Sequence, residues 1–102
     1  MIFYHRPSNT TLMMVMTRGI NDRVASDKDF AMRVHNSLNR FVSSAWGDLD
    51  KEDWSKNSDS LQSLQKGEYG YILASYPDPK GGDKIWIIRD TEVTTVLFPN
   101  EY

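Results

Sequence analysis

The chain has 102 residues, of which 39% are apolar and 25% are charged, and this composition is typical of one small globular domain rather than a disordered chain. It contains no cysteine, which excludes disulfide bonds, zinc–thiolate sites and cysteine nucleophiles. Twelve basic and 14 acidic residues give a net charge of -2, which disfavours a general nucleic-acid binder.

The first predicted element is a strand at residues 12–17, after an irregular N-terminal extension over residues 1–11 that could include a short edge strand. The continuous apolar run from Leu12 to Met16 indicates burial on both faces and a position inside the sheet. This run is too short for a bilayer span, which needs ~20 apolar residues, or for a signal-peptide core, which needs ~7–15. We therefore expect a cytoplasmic protein with no membrane partner. Gly19 marks the end of the strand, and residues 17–24 are predicted to form a loop.

Two helices are predicted next. The first begins after Ser26 and Asp27, either of which can cap it. Apolar residues then recur every three or four positions and form one face of an amphipathic helix of about five turns, ended at Gly47; they are Phe30, Val34, Leu38, Phe41 and Ala45. The second helix begins at Asp50 and ends at Gly67, and it is weaker because its only apolar positions are Trp54, Leu61 and Leu64.

Three strands follow at residues 69–76, 84–89 and 93–98, joined by an exposed loop at 77–83 and a tight turn at 90–92. The predicted fold is a single α+β domain over residues 1–102 with the order β-α-α-β-β-β. Its mainly antiparallel four-stranded sheet packs against the long amphipathic helix and the weaker second helix. Residues 85–88 are apolar on both faces, so their strand belongs inside the sheet and needs cover on both sides. A second copy of the chain or another protein could supply the missing cover.

The densest acidic cluster consists of Asp48, Asp50, Glu52 and Asp53. It could hold Mg2+ for phosphodiester chemistry, or it could cap and solvate the first turn of the second helix. Capping accounts for the spacing, and no distant segment supplies a further carboxylate. The histidines lack convergent acidic partners, and no nucleophile motif occurs among the serines. The sequence therefore predicts no catalytic residue, no metal site and no cofactor, so the protein is not expected to be an enzyme.

The loop predicted at residues 17–24 is the favoured contact segment, because strand-to-helix loops often carry function on a rigid scaffold. Arg18 and Arg23 suit bidentate contacts with a carboxylate, a phosphate or guanine. They could equally pair with Asp22 and Asp48 inside the protein. The sequence leaves both interpretations open.

Three segments, considered together, resemble a known family. They are residues 16–24, residues 46–49 with Glu52 and Asp53, and residues 84–88 with 94–102. In this order and spacing they are similar to the short "plasmid-related" proteins carried by plasmids, conjugative elements and phages of Gram-positive bacteria. The resemblance runs from about Val15 to the C-terminus. The loop at 77–83 lies outside the pattern, and Trp54 departs from it.

The resemblance implies a non-enzymatic anti-defence protein of a mobile genetic element. Most specifically, it implies an anti-CRISPR protein that binds the type II-A RNA-guided nuclease or its guide complex and inhibits it stoichiometrically. Aromatic and arginine side chains are the expected anchors of such an interface, and the acidic stretch could meet a basic nucleic-acid channel. The candidate partner-binding residues are Arg18, Asn21, Arg23, Asp48, Trp54 and Tyr102.

Two other functions are weighed against this one. A nucleic-acid-binding accessory protein of plasmid maintenance would use Arg18 and Arg23 on phosphates, and the overall acidity of the chain counts against it. A small nuclease would need the acidic cluster to bind Mg2+, and no second metal-binding segment supports it.

Overall fold

Five strands and three α-helices follow one another in residues 2–5 and 11–102, the part of the chain that the computed structural model describes, with side chains described from residue 13 onward. A short 3-10 helix, η1, follows the last strand. In chain order the elements are β1 (Ile2–His5), β2 (Thr11–Met16), α1 (Arg18–Ser26), α2 (Lys28–Val42), α3 (Lys51–Gln65), β3 (Ile72–Tyr76), β4 (Ile85–Arg89), β5 (Val93–Leu97) and η1 (Pro99–Glu101).

The sheet has the strand order β1-β2-β5-β4-β3. Three of the pairings are antiparallel, whereas β2 and β5 run parallel. The α+β class is thus confirmed, but the predicted four-stranded sheet and the predicted order β-α-α-β-β-β are wrong in detail. β1 is the short edge strand that the N-terminal extension was expected to be able to include, and the last strand of the meander lies beside β2. The pairing of β5 with β2 makes the sheet mixed. The chain between them passes through three helices and the strands β3 and β4, and it returns so that β5 runs in the same direction as β2.

The predicted loop at residues 17–24 is wrong, because α1 begins at Arg18. Its glycine, asparagine and aspartate are poor helix formers, so tertiary contacts support the helix. Thr17 caps it, with its hydroxyl oxygen accepting from the amide of Ile20. The carboxylate of Glu101, from the far end of the chain, accepts from the amide of Gly19 at 3.0 Å. Ile20 is completely buried against the core.

The other two helices begin where the sequence predicts. Asp27 caps α2 and Asp50 caps α3, each through a side-chain oxygen that accepts from a backbone amide of the first turn. α2 ends at Val42, about one turn before the predicted end. The chain then turns so that Trp46 enters the core, 2% exposed, with its ring edge-on to Phe41 at a centroid distance of 5.6 Å.

The outer edge of β3 is closed by side-chain and loop contacts. The side chain of Asn57 on α3 donates to the carbonyl oxygen of Leu73 at 2.8 Å and accepts from its amide at 3.3 Å. Ser75 donates its amide to the carbonyl of Trp46 and accepts from the amide of Asp48. Gly47 lies between these two contacts with a φ of 82°, and a Cβ there would overlap the carbonyl oxygen of Ser75. Consequently α3 and the segment before it are held against this edge.

The hydrophobic core lies between the sheet and the helices α1 and α2. Alternate residues of the strands point into it, as the pleat requires. The buried apolar cluster consists of Met14, Ile20, Phe30, Val34, Leu38, Phe41, Trp46, Ile72, Ala74, Tyr76, Ile85, Ile87 and Val96. None of the helices in the described residues combines the length and the apolar character that crossing a bilayer requires.

Candidate protein-binding surface

The face of the sheet that points away from α1 and α2 is apolar and half-exposed. The strand registers align its residues in rows across β2, β5, β4 and β3. We call this surface the open face; it consists of Met13, Val15, Leu73, Ser75, Trp86, Ile88, Val93, Thr95 and Leu97. Ser75 and Leu97 are buried and the others are intermediate in exposure. This face contains no charged side chain among the residues so aligned.

Three aromatic side chains meet on the open face. The rings of Trp86 and Tyr102 pack edge to face at a centroid distance of 5.9 Å, and the hydroxyl groups of Tyr71 and Tyr102 lie 3.2 Å apart. Burial raises the pKa of Tyr71 to about 12, with the hydrogen bond to Tyr102 as the next cause. The aromatic cluster presents amphipathic rings, the type of side chain that anchors protein interfaces.

The C-terminal segment is held in place by Glu101. One carboxylate oxygen accepts from the hydroxyl of Thr17 at 2.6 Å and from the amide of Phe98 at 3.0 Å, and the other accepts from the amide of Gly19. Partial burial raises the pKa of Glu101, but these hydrogen bonds outweigh it, so that the pKa lies below its usual value. This carboxylate places Tyr102 beside Trp86.

A groove of about 480 Å3 separates α3 from the β3 side of the open face. One helical stripe of α3 forms one wall, because residues spaced three and four apart share a face. Tyr71 and Leu73 form the opposite wall. The lining residues are Leu49, Asp53, Lys56, Asn57, Asp59, Ser60, Tyr71 and Leu73.

Arg23 belongs to a partly exposed network of contacts within the protein. Its Nη1 lies 3.1 Å from a carboxylate oxygen of Asp83, and its guanidinium lies 4.7 Å from the ring centroid of Phe30. Arg33 donates to the main-chain oxygen of Asp83 at 2.5 Å and pairs with Asp78 at 3.7 Å. Burial lowers the pKa of Arg33, and the charge of Asp78 partly offsets this effect. The two arginines thus fasten the loop before β4 to the helices.

The other two candidate residues of the predicted contact segment, Arg18 and Asn21, are exposed on α1. The side chain of Arg18 is 94% exposed, and its only ion pair among the described residues is with Asp22 at 3.7 Å. Asn21 is exposed on the same helix. The expected pairing with Asp22 is found for Arg18, whereas Arg23 pairs with Asp27 and Asp83 rather than with Asp48.

The structure distributes the remaining predicted site residues over different elements. Asp48 is exposed beside the closed edge of β3, where its backbone amide bonds to Ser75. Trp54 is 38% exposed on α3, and Tyr102 is 75% exposed on the open face. No hydrogen bond, ion pair or ring contact of the described side chains joins any of these three to Arg18, Asn21 or Arg23.

Sequence reasoning missed four residues that build this surface. Tyr71 and Trp86 complete the aromatic cluster, Asn57 holds α3 to the sheet, and Glu101 anchors the C-terminal segment. Trp86 has a detectable signal, because it alternates with the core residues Ile85 and Ile87 and so points to the other face of the strand. The partners of the remaining three lie too far along the chain for a local pattern to identify them.

Within residues 2–5 and 11–102, no group of three or more acidic or histidine side chains is arranged to hold a metal ion. Asp50 of the acidic cluster caps α3, and Glu52 pairs with Lys56 at 3.5 Å. His35 contacts Asn39 on the same helix, at 3.4 Å.

Comparisons with protein families, with curated proteins and with solved structures found no family, protein or structure that matches this chain.

Proposed function

We propose that this protein is a non-enzymatic binding module of a mobile genetic element that inhibits the type II-A CRISPR effector nuclease, or its guide complex, by occupying a surface of it. The resemblance of three sequence segments supports the choice of partner. The open face supports binding as the mode of action, and it is the observation that carries the proposal. Its half-exposed apolar rows with an aromatic cluster at one side have the composition of an interface core.

The composition of this surface suits a protein partner. Five of its half-exposed positions are Val, Ile, Leu or Met, and Trp86 adds a large ring that is only partly covered by Tyr102. A specific protein complex typically buries ~800 Å2 per partner, with a few aromatic or arginine residues providing most of the binding energy. Trp86, Tyr71 and Tyr102 are the anchors that this arrangement favours.

The test is a plasmid-interference assay in cells with an active type II-A system. Wild-type protein is expected to restore transformation by the targeted plasmid. Thr95→Arg places a charge in the middle of the open face and is expected to abolish this protection, because the charge would lose water on binding without gaining a partner. Met32→Arg is the matched control, since Met32 is 60% exposed on the helical side and its replacement should leave protection intact.

Two results would refute the proposal. Unchanged interference at confirmed expression of the wild-type protein would remove the CRISPR effector as the partner. Full protection by Thr95→Arg would remove the open face as the interface. Analytical ultracentrifugation tests whether a second copy of this chain covers the open face instead. A wild-type dimer that Thr95→Arg converts to monomers would assign the open face to that second copy.

The nucleic-acid alternative is weakened by the placement of its two arginines. Arg18 is 94% exposed and pairs with Asp22 at 3.7 Å, whereas Arg23 is engaged with Asp83 and Phe30. Steeply salt-dependent binding of DNA or RNA by the isolated protein, lost in Arg18→Ala, would restore this alternative.

A further inference from the structure

We propose that the groove between α3 and β3 receives an arginine or lysine side chain of the protein partner. This inference rests on the proposed function, because the groove adjoins the open face and shares Leu73 with it. It adds the chemistry of the partner: a basic side chain, next to the apolar residues that would cover the open face.

The groove has the dimensions and the floor for a long side chain. Its volume is about 480 Å3, and Leu49, Tyr71 and Leu73 provide apolar contact along its walls. Asn57 lies in its lining with its amide group committed to the backbone of Leu73 at 2.8 and 3.3 Å, so the two walls are fixed relative to each other. The methylene stem of an arginine or lysine side chain packs favourably on such apolar walls.

The charges of the groove select the type of head group. Asp53 and Asp59 line it, and neither carboxylate has an ion pair with a described side chain. The single basic residue of the lining, Lys56, has its ammonium group 3.5 Å from the carboxylate of Glu52. The groove is therefore negative overall and repels phosphates and carboxylates. A cation in it would be attracted by the charges of these two carboxylates.

Tyr71 adds a contact that favours a cation over a neutral polar group. Its ring forms part of the groove wall, and its hydroxyl is held by Tyr102. A guanidinium or ammonium group over an aromatic face is attracted by the negative charge of the ring face. Apolar walls, an aromatic face and two carboxylates at the rim form a site with the two-part chemistry of an arginine or lysine side chain.

The experiment is a titration of the isotope-labelled full chain, followed by the backbone amide signals in NMR. The probe is a capped tetrapeptide, glycine-leucine-arginine-glycine. The same peptide with citrulline in place of arginine is the neutral control of equal shape. We expect saturable shifts at the amides of Lys56, Asn57, Tyr71 and Leu73. The citrulline peptide should bind at least about fivefold more weakly than the arginine peptide.

Substitutions of the two aspartates test whether their carboxylates attract the arginine side chain of the peptide. Asp53→Asn combined with Asp59→Asn should weaken binding of the arginine peptide to the level of the citrulline peptide. Asp29→Asn removes an equally exposed carboxylate from the first turn of α2 and should leave binding unchanged. The amide spectrum of each variant reports that it is folded.

Three outcomes would overturn the inference. They are equal binding of the arginine and citrulline peptides, shifts that lie outside the groove, and no shift at a peptide concentration of about 10 mM, tenfold above a 1 mM dissociation constant. The titration uses the isolated protein without any effector. If the peptide does not bind but the protein still protects the plasmid, the groove inference is wrong and the proposed function stands. If the peptide binds but the protein does not protect the plasmid, the groove inference stands and the CRISPR effector is not the partner.

Discussion

Replacement of Asn57 by alanine tests how α3 is attached to the sheet. Asn57 is 6% exposed, and its side chain makes one donated and one accepted hydrogen bond with the backbone of Leu73. The Asn57→Ala variant leaves that amide and that carbonyl without a partner at the edge of β3. No other described strand pairs with this edge, so the two groups would need water in place of the side chain.

The magnitude follows from those two groups. A buried backbone group left without a hydrogen bond costs ~1–3 kcal/mol, and partial entry of water at an edge keeps each near the lower end. Alanine returns about 0.5 kcal/mol through its higher helix propensity. We expect the free energy of unfolding to fall by about 1.5–2.5 kcal/mol. At ~4–8 °C per kcal/mol for a domain of this size, the Tm should fall by about 6–20 °C.

The assay is urea denaturation followed by far-UV circular dichroism, with linear extrapolation to water. Ser58→Ala is the matched control, because Ser58 is the exposed neighbour on the same helix and its hydroxyl bonds only within that helix. A difference between the two variants of less than about 0.5 kcal/mol, the usual limit for surface substitutions, would refute the role assigned to Asn57. α3 would then be held mainly by Leu61 and Leu64.

Three further predictions concern single contacts. In urea melts, Gly47→Ala should lower the free energy of unfolding by about 2 kcal/mol more than Gly81→Ala. Both glycines have a positive φ, but only at Gly47 would a Cβ overlap the carbonyl of a strand. Equal losses in the two variants would contradict this reason. Tyr76→Phe removes a buried hydroxyl that donates to a carbonyl at 2.6 Å and should cost about 1–2 kcal/mol, whereas the exposed Tyr69→Phe should change little; similar thermal midpoints would argue against that bond. The folded-state pKa of Glu101 lies below its usual 4.5, so its contribution is present above about pH 4.5 and is lost as the pH falls through the lowered pKa. The wild-type advantage over Glu101→Gln should therefore shrink in urea melts from about pH 7 to pH 3, and a constant advantage would exclude the carboxylate as its source.

Much of the local structure could be predicted because its signals lie within a few residues. The caps at Asp27 and Asp50 lie directly before the helices they begin. The apolar spacing of α2 and the strand patterns of β3, β4 and β5 are likewise local. The predicted end of α2 was one turn late, because Trp46 leaves the helix to reach the core.

The candidate site was less predictable, because its parts come from distant segments. The sequence predicted Tyr102 as an anchor, and the structure places it on the open face beside Trp86. Its position depends on Glu101, whose carboxylate bonds to Thr17 across 84 positions of sequence. The groove likewise needs α3 and β3 to be joined through Asn57, a residue that looks like any other polar position on a solvated helix.

By itself, the sequence determined the α+β class, the capping residues at the start of two helices, and the three strands of the C-terminal meander. Backbone propensity, capping and apolar periodicity are local properties of the chain, and these features follow from them. Only the tertiary structure decided the parallel neighbour of β5, the helix that replaces the expected loop after β2, and the pairing of Arg23 with Asp83. Each of these depends on groups that are far apart in sequence: a carboxylate that caps a weak helix, a connection through β3 and β4 that sets the direction of the last strand, and an aspartate 60 positions from the arginine that it pairs with.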